Sequence, residues 1–201
     1  MMKKVSLLFC VFVFLATAAF GQTLAQADRD KGIAYLEKTR DGVVEATKGL
    51  SDAQWTFKAG PERWSVAQTL EHIALAEDYI FQNITANIMK APKGAADRDT
   101  AKIDAMVLAM VPDRSHKAQA PEPIVPSGHW TPQETLDHFL KSREKTIAYL
   151  KSAPDLREHV ADSPIGQKLD GYEWLLFISA HSERHTKQIL EVEADANYPK
   201  N

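Results

Sequence analysis

The chain has 201 residues, with 24 lysines and arginines against 27 acidic residues, a formal charge of −3 and a single cysteine. That mild acidity gives no sign of a nucleic-acid partner. The length suits one domain with a proper hydrophobic core.

Lys3 and Lys4 precede an apolar run from Val5 to about Phe20, followed by small residues. The run approaches the roughly 17–25 residues of a membrane span. Its position, basic start and small-residue exit favour a removable export signal over residues 1–27. Ala25-Gln-Ala27 fits the A-x-A cleavage rule, and Ala16-Thr-Ala18 fits it too. Phe9 stands where a lipoprotein acylation site at Cys10 would need a small residue. Signal removal shifts the formal charge to −5 and leaves no cysteine and no stable membrane span. Such a chain suits an oxidising compartment, periplasmic or secreted, and has neither thiolate metal ligands nor a cysteine nucleophile.

Residues 28–201 show four long helical patterns and no convincing strand alternation. The first runs from about Asp28 to Leu50, with Ile33, Leu36, Val43, Val44, Thr47 and Leu50 near helical spacing and Gly42 weakening the middle. Ser51-Asp-Ala-Gln54 reads as a capping box opening a short turn, and Ala59-Gly-Pro61 breaks the chain. The second helix starts at Ser65 with Gln68 closing its box. Val66, Leu70, Ile73, Ile80, Phe81, Ile84 and Ile88 carry it to about Lys90.

A proline-rich crossover, residues 91–130, holds one short helix from about Arg98 to Val111. A crossover this long in a bundle often covers a site or runs the bundle's length. Thr131-Pro-Gln-Glu134 opens the third helix, which runs to about Ser152 and buries Leu136, Phe139, Leu140, Ile147 and Leu150. Pro154 and Pro164 lie in the next loop, and the last helix runs from Asp170-Gly171 to about Ala194. The expected fold is therefore all-α: a four-helix bundle with a long crossover between helices two and three that contains a short extra helix.

The last helix carries the most informative residues, in Ile178-Ser-Ala-His-Ser-Glu-Arg-His-Thr-Lys-Gln-Ile-Leu190. His181 and His185 are one turn apart and share a face with Trp174, Phe177, Ile178, Gln188, Ile189 and Val192, so they point into the bundle. Two neutral histidines buried there need hydrogen-bond partners or a metal ion. The order is not the H-E-x-x-H of zincin peptidases, because Glu183 lies midway between the histidines and faces away from them.

His72 stands ~130° from the centre of its helix's apolar stripe, at ~100° per residue. That is the edge of the bundle, beside Gln68, Ala76, Tyr79 and Asn83. His138 lies opposite the stripe of its own helix, and His116, His129 and His159 sit in loops, where surface positions are expected. Glu77 falls within an apolar stripe, and a salt bridge to Arg143 would account for it. Tyr79 and Trp174 could wall a pocket or belong simply to the core.

Trp64-Ser-Val-Ala-Gln-Thr-Leu-Glu-His72, followed about a hundred residues later by His181-x-x-x-His185-x-x-Gln188-Ile189, resembles the DinB-like superfamily. The resemblance spans the whole of residues 28–201 in helix order. It implies a four-helix bundle binding one divalent cation through three histidines, which here fall on His72, His181 and His185. Gln188, on the ligand face, could orient a ligand or substrate. Imidazole ligands suit zinc, nickel or iron.

The resemblance also implies hydrolase chemistry or thiol-dependent transfer on an unidentified small-molecule substrate. It implies pairing of subunits through helix faces in a homodimer. No carboxylate is placed convincingly as a general base. Two functions therefore stand side by side: an exported metal-dependent enzyme, and a non-catalytic bundle that binds metal or a partner.

Overall fold

The computed structural model describes residues 23–200. The basic start, the apolar run and Cys10 of the export-signal reading lie outside the described residues, as does Asn201. Four long helices form the bundle: α1 (Gln26–Ala46), α3 (Val66–Ala86), α5 (Pro132–Ser152) and α6 (Gly171–Glu193). Two shorter ones, α2 (Asp52–Thr56) and α4 (Thr100–Met110), lie in the connections. α1 packs on α5 and α6, and α3 packs on the same two, so successive long helices α1 and α3 stand on a diagonal.

The helix starts are fixed by local chemistry. Ser65, Thr131 and Asp170 each accept from the backbone N–H three residues on, and Gln68, Glu134 and Glu173 reach back to close the box. α3 ends at Ala86, four residues short of the expected Lys90, with Asn87 as its cap, and a 3₁₀ turn (Ile88–Lys90) continues it.

The sequence reading missed one element. β1 (Val160–Asp162) pairs antiparallel with β2 (Lys168–Asp170), and Gly166 takes a left-handed φ of 73° in the turn between them. Strands of three residues are too short to show alternation. Leu169 nevertheless packs into the core and Asp170 caps α6. Arg98 binds Asp170 and Glu173, and Arg157 binds Asp104, Asp170 and Glu173, so these ion pairs lock the hairpin and α4 onto the start of α6. Burial, together with Asp170 alongside, pushes Glu173 up to about 7 despite its Arg98 partner.

The apolar interior forms two clusters. One gathers Leu36, Ile80, Ile84, Leu150 and Leu175; the other gathers Val43, Leu70, Ile73, Phe139 and Ile189. Between them lies a polar layer that the sequence anticipates as the Glu77–Arg143 pair. Arg143 Nε and Nη2 donate to the two Glu77 carboxylate oxygens at 2.9 and 2.6 Å. The same guanidinium donates to Leu36 O, Thr39 Oγ1 and Ser182 Oγ, while Thr146 Oγ1 donates to Glu77. Every arm of this fully buried pair is satisfied, which is the condition under which buried charge is tolerated. Since Ser182 lies between His181 and His185, the layer also fixes the depth and rotation of α6.

Candidate metal centre

His72 on α3 and His181 and His185 on α6 come together where the two helices face each other. One ring nitrogen of each lies within 4.8 Å of the others, and no other such group of histidine, cysteine and carboxylate ligands occurs among the described residues. The His72 ring centroid is 4.9 Å from that of His181 and 4.4 Å from that of His185. His72 and His185 are buried, while His181 is half-buried and gives the cluster its open side. Trp64, just before the α3 cap, covers His72 at 4.8 Å, and Phe177 stacks on His181.

His72 is only 2 % exposed, deeper than its angle on the helix suggests. The crossover supplies the missing wall. Its 3₁₀ turn, Glu122–Ile124, presents Ile124 O to His72 Nδ1 at 2.7 Å. The segment just after that turn is held by Glu71, whose buried carboxylate accepts from the backbone N–H groups of Ser127, Gly128 and His129 and from Ser127 Oγ. These bonds hold the Glu71 carboxyl below the usual range against the opposing effect of burial. The α3 segment around His72 is thus buried on two sides, by α6 and by the crossover.

The hydrogen bonds fix the tautomers. A carbonyl oxygen only accepts, so His72 Nδ1 carries the proton it donates to Ile124 O. His185 Nδ1 lies 2.9 Å from Gln188 Oε1, and Arg114 Nη1 donates to that same oxygen at 3.1 Å, so His185 Nδ1 is also a donor. Both Nε2 atoms of the neutral rings are therefore bare acceptors, and they face each other at 3.1 Å. Two lone pairs so close repel unless a cation lies between them.

A proton is poorly suited to that place. Burial pushes all three imidazoles below their ordinary value, His181 and His185 well below it; neighbouring rings depress those two further, while the bond to Ile124 O partly offsets the shift of His72. A divalent ion fits better. At ~2.0–2.1 Å from each nitrogen, tetrahedral zinc separates its ligand atoms by roughly 3.3 Å. The three imidazoles could hold such an ion, with Gln188 and Ile124 O orienting two of them from behind, as metal-ligating histidines require.

The remaining histidines play no part in the cluster. His116 and His129 are exposed, His159 is half-buried, and His138 pairs with Asp78 at 2.6 Å and stacks on Trp130. Glu183 turns toward α1, where Tyr35 Oη donates to it at 2.9 Å. It lines a cleft of about 540 Å³ with Asp104, Leu108, Tyr172 and Leu176 that contains none of the three imidazoles. Trp174 is buried in the core against Phe177, and its indole N–H finds no acceptor among the described residues. Tyr79 is 47 % exposed and does not wall the site.

Sequence reasoning missed Glu71, Arg114 and the Ile124 carbonyl. Only Glu71, an acid beside His72, left any signal there.

The comparisons with known proteins agree with this architecture. The uncharacterized protein YuaE of Bacillus subtilis (strain 168) is 29 % identical over 150 residues, covering 72 % of this chain and 86 % of its own. YfiT from Bacillus subtilis, described as "a probable metal-dependent hydrolase with an unusual four-helix bundle topology", has the same fold. Its TM-score is 0.55 at 15 % identity, covering 88 % of this chain and 91 % of that one. Residues 35–189, from the middle of α1 to the last turns of α6, match the DinB superfamily, and the chain belongs to that superfamily.

Proposed function

We propose that this protein is an exported metal-dependent enzyme, holding one divalent cation through His72, His181 and His185. The observation that carries this is the pair of bare Nε2 atoms facing each other at 3.1 Å with both Nδ1 protons committed elsewhere. Three neutral imidazoles leave the cation its full charge and at least one coordination position. When bound, the ion supplies Lewis acidity, enough to polarise a substrate oxygen or to acidify a water or a thiol.

Hydrolysis is the first reading, supported by the description of YfiT as a metal-dependent hydrolase. Thiol-linked group transfer is the alternative reaction at the same centre. The protein's own contribution is orientation and exclusion of water. Phe177 and Trp64 flank the rings with apolar surface, Gln188 and Ile124 O fix two ligand tautomers, and half-buried His181 marks the side from which a substrate approaches. Export is supported by the N-terminal pattern and by the lack of cysteine after Cys10. α1 begins at Gln26 and Leu24 already packs on the core, so cleavage at Ala16-Thr-Ala18 would leave the first turn of α1 intact.

A second reading, a non-catalytic metal-binding bundle, is favoured by one observation. The carboxylates nearest to His72 in the chain, Glu71 and Glu77, are committed to backbone N–H groups and to Arg143, leaving neither free as a general base.

Elemental analysis of the purified native protein against a His181→Ala/His185→Ala variant tests the metal. About one equivalent in the native protein and none in the variant is expected. Absence of stoichiometric metal under every loading condition would remove the chemistry. With cobalt in the site, a thiolate charge-transfer band on adding a small thiol supports transfer. Perturbation by acetate or phosphate alone supports hydrolysis, and no response to either supports the non-catalytic reading.

A further inference from the structure

The crossover reaches the three-histidine centre at two points, one direct and one through Gln188. Ile124 O accepts directly from His72 Nδ1. On the other side, Arg114 donates from Nη1 to Gln188 Oε1, which accepts from His185 Nδ1. Arg114 is itself held as a fork by Glu191, with Nε to Oε1 at 2.6 Å and Nη2 to Oε2 at 2.7 Å. Arg63 approaches the same carboxylate at 3.5 Å. The segment beside Arg114 is tied down separately, because Arg184 on α6 donates to Asp113 O and His116 O.

We infer that Arg114 is a positioning residue of the metal centre, acting through Gln188 to fix the donor atom of His185. We further infer that metal binding and docking of the 112–126 crossover are one linked equilibrium. The inference rests on the three-histidine reading above. An arginine cannot act as an acceptor, so its bond to Oε1 decides which end of the Gln188 amide faces the imidazole. With the oxygen there, His185 must donate from Nδ1 and leave Nε2 for a cation. Without Arg114, the amide is free to turn its NH₂ toward the ring, which would then accept at Nδ1 and carry its proton on Nε2, where the metal would sit.

Because the guanidinium belongs to the crossover and the amide to α6, the preferred tautomer exists only when the crossover is docked. An ion that selects this tautomer therefore stabilises the docked segment, and a docked segment raises affinity for the ion by the same factor.

The test uses the purified native protein, with zinc affinity measured by competition with a chromophoric chelator and hydrogen exchange followed over residues 112–126. Arg114→Met and Gln188→Ala should each weaken zinc binding by about 10–100-fold. The double variant should be no weaker than Gln188→Ala alone, because the arginine acts through the amide. Zinc should slow exchange across 112–126 in the native protein, and by much less in Arg114→Met. Additive losses in the double variant, wild-type affinity in Arg114→Met, or zinc-independent exchange of 112–126 would each overturn the inference while leaving the metal site standing. Failure of the native protein to bind zinc would overturn the three-histidine reading and this inference with it.

Discussion

Replacing Arg143 by methionine should be among the most damaging single changes in the molecule. The guanidinium is fully buried and makes five donated bonds: two to Glu77 and one each to Leu36 O, Thr39 and Ser182. Methionine fills much of the stem's volume, so the loss is electrostatic rather than a cavity. Thr39 and Ser182 still have helix carbonyls to bond, but Glu77 is left 1 % exposed with only Thr146 Oγ1 for company. Breaking a buried pair from one side costs about 3–5 kcal/mol. That is a large part of the ~5–15 kcal/mol that holds a domain of this size together.

Urea unfolding of the metal-free protein in chelator is the assay, since bound metal would add its own stabilisation. With slopes of ~1–3 kcal/mol/M, the midpoint should fall by roughly 2 M. An Arg143→Met/Glu77→Leu double variant should recover most of the loss. A single variant losing less than ~1 kcal/mol, or a double variant as weak as the single, would refute the view that this layer is a matched pair rather than two independent polar residues.

Other perturbations separate close packing, turn anchoring and titration. A Cβ on Gly32 would meet Tyr172 Cε2 at 2.8 Å and Leu150 Cδ2 at 3.0 Å, whereas one on Gly42 meets only Thr186 Cγ2 at 3.9 Å. Gly32→Ala should therefore lower stability by ~1–3 kcal/mol, and Gly42→Ala should raise it by ~1 kcal/mol, both read by thermal unfolding. Glu71→Gln should cost ~1–2 kcal/mol and raise exchange at Ser127, Gly128 and His129, since a neutral amide holds their N–H groups less strongly than a carboxylate.

Metal-free stability should fall as pH drops below about 6.5. The three imidazoles have folded values below that of the unfolded chain, so the unfolded state takes up protons first. The slope is at most ~1.4 kcal/mol per pH unit for each ring. The decline should be absent from a His72→Ala/His181→Ala/His185→Ala variant, where Glu173, raised to about 7 in the folded chain, gives a rise instead, and a native apo-protein profile that matches the variant's would contradict the assignment.

Much of the architecture was readable because short-range chemistry sets it. Ser65–Gln68 and Thr131–Glu134 announce their helices by the same reciprocal bonds that form in the structure, and Glu77 announced its partner by being an acid in an apolar stripe. The β1–β2 hairpin could not be read because three-residue strands are too short to show alternation, even though Leu169 packs into the core and Asp170 binds Arg98 and Arg157. His72 was readable as a residue at the bundle edge but not as a buried one. Counting angles assumes one buried side, and α3 gains a second from the crossover. Arg114 left no trace for the same reason, since its role exists only once a loop has folded back on α6.

X-ray absorption at the metal edge of stoichiometrically zinc-loaded protein tests the three-imidazole centre most directly. Three histidine ligands should give a nitrogen shell at ~2.0–2.1 Å with the outer-shell scattering of three imidazole rings, falling to two in His72→Ala. Fewer than three imidazoles in the native spectrum, or a His72→Ala spectrum unchanged from it, would contradict the proposed centre.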